Sequence, residues 1–114
     1  MQKSPSKPRQ VYVPYSISQD PQERIHTLQL WSREGECRGI AYPRILEFEF
    51  NASGTVILHL PEPWLAIALE GIRLAELYGL LCERCVQRVQ EWGESFAAAP
   101  PDQPCIRSIA PIPT

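Results

Sequence analysis

The sequence predicts an α+β protein: a small antiparallel sheet of four or five strands, open or closed in part into a barrel, packed against one C-terminal amphipathic helix. Three observations point there. Residues 44–60, "RILEFEFNASGTVILHL", alternate apolar and polar side chains with a period of two on both sides of a turn. Residues 72–92 set Leu74, Leu77, Tyr78, Leu81, Cys85, Val89 and Trp92 at steps of three and four, the period of a helix with one apolar stripe. Nine of the 12 prolines collect at the ends, at Pro5, Pro8, Pro14 and Pro21 and again at Pro100, Pro101, Pro104, Pro111 and Pro113, with only Pro43, Pro61 and Pro63 between. That distribution predicts a single α+β domain over 24–93, a flexible or extended N-terminal arm over 1–23 and a Pro-rich C-terminal tail over 94–114.

In chain order, "VYVPYSIS" (11–18) has a strand-like period. Pro14 lacks an N–H for a central ladder, which leaves an edge strand or an extended arm. "RIHTLQLW" (24–31) is the first clear strand, "SREGEC" a charged turn and "RGIAY" (38–42) a second strand, after which Pro43 bends the chain. In the 44–60 hairpin, pairing Asn51 with Thr55 leaves Ala52-Ser53-Gly54 as a three-residue loop. Its last position adopts the left-handed conformation that glycine enters freely. This register sets Phe50 opposite Val56, Phe48 opposite Leu58, Leu46 opposite Leu60 and Glu47 opposite His59. A slip of one residue would turn the glutamates against leucine and valine. Trp64 to Leu69 reads as a strand with Gly71 at the following turn, because a helix through Gly71 costs about 1 kcal/mol relative to alanine. The helix then runs over 72–92 and stops at Gly93.

Composition bounds the function. A chain of 114 residues with 44% hydrophobic and 21% charged side chains is an ordinary soluble domain. A net charge of -2 does not supply the broad basic field of non-specific nucleic-acid binding. The most apolar run, Trp64 to Leu69, is far short of the ~20 residues that span a bilayer, so no membrane association is expected. "MQKSPSKPRQ" has no apolar core of a secretion signal, and its absence beside four cysteines predicts reduced thiols and a cytoplasmic location.

The one conspicuous motif is CxxC at Cys82 and Cys85. Redox pairs of this spacing sit at a helix N-terminus, where free N–H groups and the dipole stabilise the thiolate. Here both fall in mid-helix, Cys85 on the apolar stripe, and they read as small apolar side chains on a buried face. For a zinc site the other half must come from Cys37, Cys105, His26 or His59, and none of these is paired at a ligand spacing. Glu47 and His59 read as an exposed cross-strand ion pair rather than an acid–base couple. No phosphate loop, nucleophile elbow or zincin pattern is present, so no catalytic residue, cofactor or metal is assigned.

The expected function is therefore that of a non-enzymatic protein-interaction module, a small adaptor or regulatory subunit. Its partner is another protein or a second copy, met through a sheet edge, the helix or the tails. Trp64, an aromatic outside the two best-defined apolar surfaces, is the expected contact residue. The alternative is a small metal-binding or thiol-redox protein using Cys82 and Cys85. A weaker one is a nucleic-acid accessory protein using the basic arm of Lys3, Lys7 and Arg9.

Overall fold

The computed structural model describes residues 9–18, 20, 25–62 and 65–112. In chain order it has β1 (Tyr15–Ile17), β2 (Thr27–Trp31), β3 (Cys37–Ala41), a 3-10 turn (Tyr42–Arg44), β4 (Glu47–Phe50), β5 (Val56–His59), β6 (Ala66–Ile72), α1 (Ala75–Cys82), β7 (Val86–Gln90) and β8 (Cys105–Ile112). The fold is α+β. It has two four-stranded sheets rather than one, ordered β1-β7-β2-β3 and β4-β5-β6-β8, and neither closes on itself. One buried cluster joins them: Leu28 and Leu30 from the first sheet, Val56, Leu58 and Leu69 from the second, and Leu74, Leu77 and Leu81 from around α1.

The hairpin has the predicted register, with Phe50 opposite Val56, Phe48 opposite Leu58 and Glu47 opposite His59. Gly54 is left-handed at φ 85, and Asn51 Oδ1 accepts the N–H groups of Ser53 and Thr55 to lock the loop. Leu46 does not pair with Leu60. Its N–H donates to the His59 carbonyl and its side chain is 67% exposed, so the ladder ends one pair early. Phe50 stacks on Tyr78 of α1 at 5.5 Å, which carries the helix onto this sheet.

The 72–92 helix is a correction. Only Ala75–Cys82 is helical, and the chain then returns as β7, the strand between β1 and β2. The helix ends in a Schellman motif: the Arg84 N–H donates to the Leu81 carbonyl and the Cys85 N–H to that of Leu80. Arg84 holds the left-handed position at φ 59, where glycine is usual, and its guanidinium lies 5.5 Å from the centre of the buried Tyr42 ring. Beyond it, Val86 and Val89 keep a helix-like spacing of three for a different reason. Ser16 faces Arg88 while Ile17 faces Val86, so Gln87 is an extra residue in β7. That bulge shifts the alternation and leaves Gln87 and Arg88 both exposed between two buried valines.

Three further expectations change. The β2–β7 pair is parallel, so the first sheet is mixed; the long stretch between the two strands permits the crossover. Gly71 is not at a turn but inside β6, at a bulge where Gly71 faces Ile106 and Glu70 faces Ser108. A Cβ there would stand 1.9 Å from the Cys105 carbonyl oxygen, so only glycine allows the approach. The segment read as a Pro-rich tail supplies β8, antiparallel to β6, with Cys105 and Ile106 buried. The N-terminal arm likewise joins the fold through β1, the edge-strand reading of 11–18. Among the described residues no helix is long and apolar enough to cross a membrane.

Candidate functional site

Each sheet has an edge that faces the other across a gap, β3 on one side and β8 on the other, and the two edges are finished differently. Outward groups of β8 from Ile106 to the Ile109 N–H are taken. The Ile106 carbonyl accepts the Trp92 N–H at 2.7 Å, and the Ile106 N–H donates to the Tyr12 hydroxyl at 3.0 Å. Arg33 Nη2 donates to the Arg107 carbonyl at 2.7 Å, and the Ile109 N–H donates to Glu91 Oε2 at 2.8 Å. Side chains of one strand alternate, and so do its backbone groups, so Pro111 follows Ile109 in facing outward. Its missing N–H therefore leaves no partner of β6 unpaired.

Glu91 is the centre of this closure. Its carboxylate is buried, with Oε1 accepting from the Arg33 N–H at 2.9 Å and Arg33 Nε at 3.2 Å. Burial by itself pushes the carboxyl up, but the hydrogen bonds from Arg33 and Ile109 outweigh it and hold the group below its ordinary range. Tyr12 works beside it. Its hydroxyl donates to the Gln90 carbonyl at 2.7 Å while accepting from Ile106, and burial raises its phenol so that it keeps the proton this geometry needs.

The β3 edge is open. The Ser32 N–H donates to the Glu36 carbonyl and the Tyr42 N–H to the His26 carbonyl, which fixes even-numbered residues of this strand toward β2. Cys37, Gly39 and Ala41 therefore aim their N–H and C=O groups away from the sheet, and among the described residues no strand lies beyond them. Beside this edge lies a cleft of about 370 Å³ reaching to β8. Its apolar lining comes from Leu30, Ile67, Ile109 and Pro111, and Glu36 and Arg38 stand at the β3 side. On the outer face, Trp31 is paired with Cys37 across the ladder and carries the Arg88 guanidinium 4.6 Å from its ring centre.

The other predicted positions fall elsewhere. Trp64 and the basic Lys3 and Lys7 lie outside the described residues. All of Cys37, Cys82, Cys85 and Cys105 are free thiols. Cys82 and Cys85 are not on a buried helical face: Cys82 is the exposed last residue of α1 and Cys85 lies just beyond it, half-buried. The Cys85 thiol donates to the Leu80 carbonyl at 3.3 Å, and burial followed by the charge of Glu83 raises it above its ordinary value. A helix C-terminus disfavours a thiolate, the reverse of a redox CxxC. The opposition of Glu47 and His59 is present, and Glu49 joins it. Sequence reasoning missed Glu91, Tyr12 and Arg33, because the first sits among polar residues of an apparent helix and the others in an apparent arm and turn.

No protein-family model, curated protein or solved structure matches this chain. Its own geometry defines a two-sheet α+β protein with one partly capped and one open internal edge.

Proposed function

We propose that this protein is a non-enzymatic interaction module that takes up an extended segment of another protein as a strand added to β3. The observation that carries the reading is the free edge of β3 beside an apolar cleft. An added strand draws its affinity from the outward N–H and C=O groups of Cys37, Gly39 and Ala41. Its alternate side chains turn toward Leu30, Ile67 and Ile109, which favours apolar residues at every second position of the partner. Glu36 and Arg38 at the rim would bias the partner's flanking charges.

The test is selection of extended peptides from a random display library against the full chain, followed by NMR of the complex. Bound peptides should shift the amides of Cys37, Gly39 and Ala41 and slow their hydrogen exchange. Binding should be lost in Cys37→Pro, which removes an outward donor at the first residue of the strand. Peptides that map to another surface, or that bind Cys37→Pro unchanged, would sink the proposal.

A further inference from the structure

We propose that Glu47, Glu49 and His59 form a site for one zinc ion on the outer face of the second sheet. The three side chains come from two strands whose register is set by a locked hairpin. Glu47 and His59 are directly paired, and Glu49 is two residues along on the same face as Glu47. His59 Nε2 lies 3.0 Å from Glu49 Oε1 and 3.9 Å from Glu47 Oε2, and one donor atom from each residue lies within 4.8 Å of the others. Ligands at the usual zinc distances, arranged tetrahedrally, stand about 3.3–3.5 Å apart, so small side-chain rotations bring these donors into place.

The donor set separates this group from a patch of surface acids. An imidazole nitrogen with two carboxylate oxygens suits zinc, whereas calcium and magnesium take oxygen donors. Three protein donors leave a fourth position, and the exposure of Glu47 opens it to water or to a donor from a partner. Electrostatics agree: two carboxylates share one imidazole, and strand positions 47–50, 56–59 and 66–72 contain no lysine or arginine. Arg44, just before β4, is already engaged by Glu62. On its other side His59 faces Ala66, a residue with no side-chain donor group to compete for the imidazole.

The experiment is a calorimetric titration of the metal-stripped full chain with zinc chloride, with NMR mapping of the shifts and cobalt substitution as a spectroscopic check. Saturable uptake of one zinc per chain is expected, with shifts centred on residues 47–49 and 59. The cobalt form should lack the near-ultraviolet charge-transfer band of a thiolate ligand, which distinguishes this site from Cys37 or Cys82. His59→Ala should weaken binding by at least about tenfold. Glu49→Gln, which keeps the side-chain shape, should do likewise with the fold intact by circular dichroism. Absence of saturable binding, binding undiminished in both variants, or a thiolate band at stoichiometric cobalt would each overturn the proposal and leave an ion pair only.

Discussion

The edges of β8 and β3 face each other across the same gap, yet β8 is capped over Ile106 to Ile109 and β3 is not capped. At β8 the outward groups of Ile106, Arg107 and Ile109 are matched by Tyr12, Arg33 and the adjacent Glu91 and Trp92, which come from three separate stretches of chain. At β3 the outward groups of Cys37, Gly39 and Ala41 meet no strand among the described residues. The difference teaches which edge is tied into the fold and which keeps its backbone groups unpaired among the described residues. Side chains that close an edge are bound into the fold's energetics, while an open edge contributes little until a partner adds to it.

The largest break comes at the β6–β8 seam. Gly71→Ala puts a methyl group into the Cys105 carbonyl and should cost about 4 kcal/mol or more, or prevent folding. Urea denaturation reads the loss, and a change under about 1 kcal/mol would show that β8 is not held as described.

Next is Glu91→Ala, which strands the donors of Arg33 and Ile109 and should cost about 3 kcal/mol. The same carboxylate gives a pH signature. Its folded pKa is lower than in the unfolded chain, so its contribution is present above the ordinary value near 4.5 and is lost as pH falls through the lower folded value. Glu91→Gln should flatten the acid limb of the stability curve relative to the parent chain. An unchanged limb would mean that other carboxylates govern it.

Tyr12→Phe leaves the Gln90 carbonyl and the Ile106 N–H without this partner, and should cost about 1–2 kcal/mol in the same denaturation assay. Faster exchange at the Ile106 amide is the local readout. Smallest is Cys37→Pro on the open edge, expected to change stability by less than about 1 kcal/mol because no ladder bond is removed. A loss as large as that of Glu91→Ala would show that the β3 edge is covered in solution, by a second copy or by another part of the chain.

How much of this was legible varies with how local the determinants are. The hairpin register could be read because both strands and their loop lie within residues 44–60, and Gly54 marks the left-handed position. The extent of α1 could not, because its stop is an arginine in the left-handed position and a bulge at Gln87 keeps Val86 and Val89 three apart. Gly71 and Pro111 looked like a turn and a tail residue. Their true roles, a close approach and a donor-free outward position, exist only once β6 and β8 are paired.

The candidate edge was less legible still. A free edge belongs to a strand's place in a sheet, not to the strand, and "CRGIA" carries no mark of it. By itself the sequence determined the α+β class, the strand segments of the first half, and the pairing that brings His59 to Glu47. These rest on periodicity and turn chemistry within a few residues. Tertiary structure alone decided that residues 86–90 become a central strand, that 105–112 complete a sheet, and that Glu91 is buried. Each depends on partners distant in the chain, such as Trp31 and Ile109, whose hydrogen bonds and buried apolar neighbours override local propensity.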